Sequence, residues 1–471
     1  MSAPDLDTVA VLDERGHRRY VLPADAKGRY SSRKPWVYLA LIVFWTALPF
    51  IKIAGQPAVW IDLPRRHFYL FGATFNSQDF YLAFFVFTGI GFSLIVAAAL
   101  FGRVWCGWAC PQTVFLDGVF RRIERWIEGP AAERRRLANG PWTGEKILKK
   151  TAKHFIYLVL ATLIAHMFLS YFASVDGLGK MITEGPGEHP ETFGWALALT
   201  AVVYGNFWWF REQLCIVICP YGRLQSALQD QDTINVIYDH VRGEPRGKAK
   251  QKEALSLGDC VDCNRCVAVC PTGIDIRQGN QLECIGCAYC IDACDDVMVK
   301  LGRPEGLIRY DSQRAVETQK RRFWRPRVYF YGFMGVVGLA VAVLVISANQ
   351  PFEAQVLRAS GSAFVVVDGA VENQARVHLV NKHGAPATFR ISVPGDQARY
   401  VQLPQPEVTL EAFGDHDLPV LVRIPAAEWR RGIVIEFDVS DSLSITRRVT
   451  LEVLGPNRVI APAPPSPGAP R

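Results

Sequence analysis

Two cysteine-rich stretches predict the fold of the central part of this chain: CVDCNRCVAVCP, from Cys260 to Pro271, and CIGCAYCIDAC, from Cys284 to Cys294. Both have the spacing C-x2-C-x2-C-x3-C, in which a tight loop gives three thiolates to one 4Fe-4S cubane and the fourth cysteine reaches the other cubane. This rule predicts one cluster on Cys260, Cys263, Cys266 and Cys294, and a second on Cys284, Cys287, Cys290 and Cys270. We therefore expect a bacterial-type double 4Fe-4S ferredoxin domain, α+β in class, at residues 255–300.

The second stretch departs from the ferredoxin pattern at one position. Asp295 stands where a proline would follow the last cysteine, whereas Pro271 does follow Cys270 in the first stretch. The departure leaves the sulfur ligands intact and affects only the local backbone. Zinc is the alternative for clustered cysteines, but zinc sites usually pair two C-x-x-C knuckles across a longer spacer. The spacing therefore favours iron-sulfur clusters.

The other four of the 12 cysteines form two C-x-x-x-C-P motifs, WCGWACP with Cys106 and Cys110 and LCIVICP with Cys215 and Cys219. Each motif comes just after a long apolar run, which indicates an internal repeat. Residues i and i+4 of a helix share a face, so each pair could supply two soft ligands together. Four thiolates would suit Cu(I) or a further iron-sulfur centre, and spacing alone leaves both open.

Apolar runs dominate the rest of the 471-residue chain. Hydrophobic residues make up 50% of the composition and charged residues 21%, a balance that indicates a membrane protein. A span needs about 20 apolar residues. Runs of about this length predict an α-helical transmembrane bundle with about five spans, at 36–53, 80–101, 154–174, 193–210 and 328–347.

Basic residues predict the orientation, because Lys and Arg near span ends are retained on the cytoplasmic side. They are concentrated in residues 1–35, which include Lys34, and in 121–150 and 320–327, whereas the loop 175–192 is acidic. This pattern predicts a bacterial inner-membrane protein whose N-terminus and ferredoxin domain are cytoplasmic and whose C-terminal domain is periplasmic. It explains the net charge of +7 through the lipid bilayer, without a nucleic-acid partner. All cysteines then lie where thiols stay reduced.

Residues 350–455 change character to short runs of alternating apolar residues separated by Gly, Pro and Asp, such as 388–393 and 433–439. These runs predict an all-β immunoglobulin-like sandwich without a disulfide, because this part contains no cysteine. The predicted layout is a cytoplasmic segment 1–35, a four-span region 36–225, a cytoplasmic part 226–327, a fifth span 328–347, the sandwich 350–455 and a disordered Pro-rich tail 456–471.

Two further features have competing interpretations. The basic amphipathic segment 102–150 could lie along the inner leaflet or present a solvated face. Four tryptophans near the C-x-x-x-C-P motifs are best explained as an aromatic belt at the membrane surface: Trp105, Trp108, Trp208 and Trp209.

The apolar spans, paired C-x-x-x-C-P motifs, double cubane insert, fifth span and outer domain together resemble the cytochrome c oxidase accessory protein family called CcoG, FixG or RdxA, over nearly the whole chain. The resemblance implies a membrane cupric reductase that supplies Cu(I) during assembly of the cbb-type oxidase. It implies that Cys106, Cys110, Cys215 and Cys219 handle copper or act as further redox thiols. The implied partners are copper ions, a cytoplasmic electron donor, oxidase assembly factors, and copper chaperones or transporters.

Two other functions fit part of the pattern. Membrane ferredoxins with four spans and the same C-x-x-x-C-P motifs resemble quinol dehydrogenase subunits, but the fifth span and the outer domain argue against that role here. A non-enzymatic scaffold for oxidase assembly is the third possibility. Replacement of cluster cysteines would separate a scaffold from the two electron-transfer functions.

Overall fold

The computed structural model describes residues 20–53, 55–75, 80–248, 257–347, 352–359, 361–383, 385–442 and 445–456. These residues form two compact units, which divide in the chain at Val345 and Ile346, and residues 55–56 are grouped with the second unit. Residues 1–19 of the predicted N-terminal segment and residues 457–471 of the predicted tail lie outside the described range.

The first unit begins with helices and short strands. Its strands in this part are β1 (Lys52–Ile53), β2 (Gln56–Pro57), β3 (Val59–Asp62), β4 (His67–Leu70) and β5 (Ala73–Phe75), of which the last three form an antiparallel sheet. The helices before residue 230 are α1 (Arg29–Ala47), α2 (Phe80–Phe101), α3 (Val104–Trp108), α4 (Pro111–Phe115), α5 (Arg121–Glu128), α6 (Ala131–Asn139), α7 (Gly144–Ala173), α8 (Val175–Glu184), α9 (Pro190–Gly205) and α10 (Pro220–Leu228). Single π-helical turns cover Leu116–Phe120, Asn206–Phe210 and Leu214–Ile218.

Two helices of the described residues are long and apolar enough to cross a membrane: α7, and Pro326–Leu344 near the end of the unit. A third span is possible if Phe87–Phe101 and Val104–Glu128, which are bent by 96° against each other, count as one. The predicted spans 36–53 and 193–210 correspond to α1 and α9, which do not meet this test. At 1.5 Å per residue, the 16 α-helical residues of α9 reach about 24 Å, less than the hydrocarbon core of about 30 Å, and the π-helical turn Asn206–Phe210 continues from its end. Five spans therefore stay a prediction.

The ferredoxin-like part follows α10 and is α+β, as expected. Strands β6 (Asn235–Tyr238) and β7 (Ile308–Asp311) pair antiparallel and enclose both cubane motifs between them. The helices of this part are α11 (His240–Gly243), α12 (Arg265–Ala268), α13 (Tyr289–Lys300) and α14 (Gln313–Thr318), and α15 (Pro326–Ser347) ends the unit. A buried apolar cluster that includes Val236, Ile291 and Ile308 packs the strands against α13.

The second unit confirms the predicted immunoglobulin-like β domain. Its strands are β8 (Phe352–Arg358), β9 (Val365–Val367), β10 (Ala370–Asn381), β11 (Ala387–Ser392), β12 (Val401–Gln402), β13 (Glu407–Leu410), β14 (Asp415–Pro425), β15 (Val434–Asp441) and β16 (Thr446–Glu452). One sheet has the order β12-β14-β10-β8, with β9 also paired to β10, and the other has the order β13-β11-β15-β16. Alternate residues of β10 and β15 point inward, so side chains such as Val377 and Phe437 form one core between the sheets.

Candidate functional site

A first cavity, which we call site I, lies between α12 and α13. It is lined by the predicted first ligand set, Cys260, Cys263, Cys266 and Cys294, together with apolar side chains, Asn264 and two cations, Arg265 and Arg277. Three of these cysteines come from the first motif and the fourth comes from α13 of the second motif. The structure thus brings together the four thiols that the crossover rule grouped.

A second cavity, site II, adjoins the first. Its lining includes Cys270, Cys284, Cys287 and Cys290, and Cys266 borders both cavities. The remaining walls are apolar apart from Thr272, with Val236, Ile274 and Ile276 among them. Two adjacent cavities with apolar walls, each bordered by the predicted set of four thiols, fit a pair of 4Fe-4S clusters.

The backbone makes both loops in the same way. The residue before the second cysteine of each motif has a positive φ, 52° at Asp262 and 66° at Gly286. The residue after that cysteine does too, 56° at Asn264 and 64° at Ala288. A positive φ costs conformational energy in residues other than Gly. Both loops have this conformation at the same two positions, so the strain is part of the loop structure and is expected to serve a function. The repeat indicates that both loops wrap the same kind of group.

Burial raises the thiol pKa values in both sites. The pKa of Cys266 and that of Cys294 rise to about 12 in site I, and in site II that of Cys284 rises to about 12 and that of Cys287 to about 11. A thiolate, not a thiol, is the metal ligand. These buried thiols would become thiolates when a metal supplies the compensating positive charge.

Asp295, which replaces the expected proline, changes the backbone locally. Without a proline the helix α13 continues through Asp295 to Lys300. The Asp295 carboxylate accepts a hydrogen bond from the N–H of Gly306 at 2.9 Å and so fixes the loop that leads to β7. The substitution therefore extends the helix that carries Cys290 and Cys294.

The two C-x-x-x-C-P motifs come together in a third group, which we call the four-thiol site. Pro111 and Pro220 open α4 and α10, so that Cys110 and Cys219 are the N-cap residues of these helices. The Cys106 thiol donates to Oε1 of Gln225 at 3.0 Å, which ties the first motif to the helix after the second. Gln225 is fully buried.

Electrostatics also indicates that the four thiols are neighbours. Burial first, and then Cys110, Cys106 and Cys219 in that order, raise the pKa of Cys215 to about 12. Burial also raises the pKa of Cys110, the N-cap residue of α4, against the effect of hydrogen bonds from the N–H groups of Gln112 and Thr113. Within the part of the chain that the structure describes, no three His, Cys, Asp or Glu side chains have the arrangement of a single-ion site.

Site II and the four-thiol site are in direct contact. A Cβ atom on Gly107 of α3 would lie 2.7 Å from the carbonyl oxygen of Ile285 and 2.8 Å from Cα of Cys287. Cys106, Ile285 and Cys287 form one buried cluster. The Arg103 guanidinium, just before α3, donates to the Leu282 carbonyl oxygen. No local pattern predicts this contact, because about 180 residues separate the two surfaces along the chain.

Two of the sequence-based interpretations need correction. Trp108 is not part of a lipid-facing belt, because its Nε1 donates to the Tyr310 hydroxyl at 3.0 Å, and that hydroxyl donates to the Gly286 carbonyl oxygen at 2.6 Å. The segment 102–150 is not simply a leaflet-bound or solvated helix. It breaks into short helices, and its Arg121 is buried in ion pairs with Asp117 and Glu212.

Comparison with known proteins gives three family matches. A 4Fe-4S dicluster domain matches residues 210–313, a 4Fe-4S binding domain matches 82–130, and the "IG-like fold at C-terminal of FixG" matches 342–456. The nitrogen fixation protein FixG of Rhizobium meliloti is 36% identical over 439 residues, which cover 83% of each chain. Protein RdxA of Cereibacter sphaeroides is 36% identical over 396 residues, 80% of this chain and 83% of its own. The crystal structure of a FixG-related protein from Vibrio parahaemolyticus is 21% identical and covers 22% of this chain and 97% of its own, with a TM-score of 0.20.

Proposed function

This chain belongs to the FixG and RdxA family, and from that premise we propose that it reduces Cu(II) to Cu(I) for the assembly of a cbb-type cytochrome c oxidase. The family and its 4Fe-4S domains make it a membrane-associated iron-sulfur electron-transfer protein. Copper as the electron acceptor, the oxidase as the destination and the eight ferredoxin cysteines as cluster ligands are the further steps that we propose.

The observation that carries this proposal is the packing of α3 on the loop of site II. The clusters, when bound, would supply single electrons, and reduction of Cu(II) to Cu(I) consumes one electron. The absence of side chains at Gly107 and Gly286 lets the two backbones approach closely. Cys106, Ile285 and Cys287 exclude water from the contact. This chain thus keeps the acceptor thiols next to the second cluster site.

The residues around the four-thiol site suit a soft cation. Thiolates are the ligands that Cu(I) prefers. The Arg103 guanidinium interacts with Cys215 and favours its thiolate form, which opposes the effect of burial. Two or more thiolates around one Cu(I) carry a net negative charge, which this arginine would offset.

We also propose the topology that the basic residues indicated. The ferredoxin part and the four-thiol site would lie at the cytoplasmic face of the inner membrane, and the immunoglobulin-like unit would lie in the periplasm. A soluble cytoplasmic donor would then reduce the clusters. Oxidase assembly factors, copper chaperones or copper transporters would receive Cu(I).

A test uses anaerobically purified full-length protein, reduced and then freed of excess reductant. Addition of Cu(II) should reoxidise the clusters, with Cu(I) trapped by a chelator in equal electron equivalents. The variants Cys106→Ser and Cys219→Ser should keep about eight irons per chain, four for each cubane, and lose most of the Cu(I) yield. Intact clusters that deliver no electrons to Cu(II) would refute the proposal.

One observation favours a second function for the four-thiol site, a third iron-sulfur centre. The 4Fe-4S binding domain matches residues 82–130, whose cysteines are Cys106 and Cys110 alone. In that case the wild type would contain about twelve irons, and each of the two serine variants would lose about four. Iron counts on the same samples therefore separate copper handling from a further relay cluster.

The two remaining alternatives have distinct outcomes in these samples. A quinol dehydrogenase would show cluster reduction on addition of a quinol to membranes, without a soluble donor. A scaffold would support oxidase assembly in cells even when Cys287 or Cys263 is replaced, provided that the protein accumulates to normal levels.

A further inference from the structure

Lys34 stands out among the buried charged residues because its position is fixed by the ferredoxin domain. It lies one turn into α1, and 1% of its surface is exposed. The start of α1 is held by Asp292 of α13, whose carboxylate accepts hydrogen bonds from the N–H groups of Tyr30 at 3.1 Å and Ser31 at 2.6 Å. Helix α13 also carries Cys290 and Cys294, so Lys34 is anchored beside cluster ligands.

Aromatic rings, rather than carboxylates, surround the Lys34 ammonium group. Its Nζ lies 3.9 Å from the ring centroid of Tyr289, 5.5 Å from that of Trp108 and 6.0 Å from that of Tyr38. Among the described residues this Nζ has no hydrogen-bond partner. Cation–π contacts offset only part of the cost of burying an ammonium group, so a further source of negative charge is expected nearby.

The negative groups that face Lys34 come from three elements. Burial lowers the pKa of Lys34, and Cys287, Asp117, Cys290 and Asp292 act against it, in that order of strength. Asp117 accepts a hydrogen bond from Arg121 at 2.5 Å through Oδ1, and its charge is shared with that guanidinium. Asp292 accepts hydrogen bonds from the two N–H groups of α1. The strongest opposing influence on Lys34 comes from Cys287, a predicted ligand of site II.

We propose that Lys34 is the built-in counter-charge of the cluster in site II and that it raises the reduction potential of that cluster. A cubane held by four thiolates is negatively charged and gains a further negative charge on reduction. A fixed cation beside two of its ligands stabilises the reduced form more than the oxidised form. This inference rests on cluster binding in site II, but it does not depend on copper as the acceptor.

Site I offers a matched control, because it too has cations at its edge. Arg265 and Arg277 both line site I. Arg265 forms an ion pair with Asp296 at 3.5 Å, and the Arg277 guanidinium donates to Asp262 at 2.6 Å and to Asp275 at 2.7 Å, so carboxylates neutralise both. Loss of Arg277 should therefore change the potential of site I less than loss of Lys34 changes that of site II.

The test is a redox titration of full-length protein, followed by EPR, for the wild type, Lys34→Met, Lys34→Arg and Arg277→Met. The Cys287→Ser variant identifies the signal of site II. In Lys34→Met, the reduced-to-oxidised ratio of site II at a fixed potential should fall about tenfold, equivalent to about 59 mV for one electron. Site I should keep its potential, and Lys34→Arg should stay close to wild type. No copper is present, so a failed copper reaction leaves this result intact.

Two results would overturn the inference: a Lys34→Met protein with full iron content and an unshifted site II, or equal shifts in both sites. If Lys34→Met lost the iron of site II, Lys34→Gln would be measured beside Lys34→Arg. Iron retained only in the arginine variant would support a required positive charge. Iron lost in all three variants would mean that shape, not charge, matters, and would refute the role.

Discussion

Site I and site II are built from the same cysteine spacing and the same backbone conformation, yet their surroundings differ. Cys263 of site I is exposed and its loop faces the surface, whereas all four cysteines of site II are at least half-buried. Arg277 of site I is paired with carboxylates, whereas the Nζ of Lys34 beside site II has no hydrogen-bond partner among the described residues. Site II alone packs on α3 and the four-thiol site. The cysteine spacing therefore determines which metal group each site can bind, while the neighbouring elements determine what that group does.

This difference suggests a direction of transfer. A donor can approach the exposed loop of site I, and only site II is in contact with the next group of thiols. We infer that electrons enter at site I and leave from site II.

The largest effect is expected when one cysteine ligand is replaced in each of the two sites. Cys263→Ser and Cys287→Ser should each lose about four irons. Prereduced Cys263→Ser should still pass the electron of site II to Cu(II), whereas Cys287→Ser should not, because its remaining cluster is not next to the four-thiol site. Stopped-flow absorbance after addition of Cu(II) measures the reoxidation. Equal losses in the two variants would contradict the inferred direction.

An intermediate effect is expected from a substitution that adds a methyl group at the contact between site II and α3. In Gly107→Ala the new Cβ would lie within 2.8 Å of two backbone atoms of the cubane loop, so one surface must shift. Overpacking of this kind costs about 1–3 kcal/mol and should slow the reoxidation of site II. Melting temperature in detergent and the same stopped-flow trace would report both changes.

Gly179→Ala is the control for Gly107→Ala. Gly179 also lies in a helix, α8, but a Cβ there would meet nothing within 4 Å. Alanine should leave stability unchanged or raise it by up to about 1 kcal/mol, because glycine is a poor helix former. If both alanine variants behaved alike, the close approach at site II would not matter for transfer.

The smallest effect should appear only at site I and only in acid. Burial raises the pKa of Asp275, but hydrogen bonds from the side chain and the N–H of Arg277 outweigh it, so the pKa lies below its ordinary 3.8. A depressed carboxyl pKa adds stability that is complete above pH about 4 and is lost as pH falls through the folded-state pKa. Asp275→Asn should therefore lower the melting temperature slightly at pH 7 and reduce its decline below pH 4. An unchanged acid profile would argue against the pairing.

The sequence predicted some parts of this molecule well because their information is local. The iron-sulfur character and the immunoglobulin-like unit, both now supported by family matches, follow from a spacing of two or three residues and from alternation along single strands. The membrane part was harder to predict. Helices α1 and α9 look like spans by hydropathy, but α1 carries Arg33 and Lys34 in its first turns, and α9 changes after 16 residues into the π-helical turn Asn206–Phe210.

The interior of the first unit could not be predicted. By sequence alone, Lys34 is one of the basic residues that favour the cytoplasmic side and Trp108 is part of an aromatic belt, because composition cannot tell an exposed cation or ring from a buried one. No motif marks Arg103, Gly107 or Gly286. Their importance comes from contacts with residues about 180 positions away along the chain.

Cysteine spacing along the chain is enough to predict which sulfur atoms can close around a cluster, since short loops have few conformations and ligand spacing is therefore a local property. The packing of helices from distant parts of the chain exposes one cluster site and places the other against α3 and the four-thiol site, with the Lys34 ammonium group on the ring of Tyr289. Those relations join distant parts of the chain. They depend on how whole helices pack, and no local pattern of residues encodes that packing.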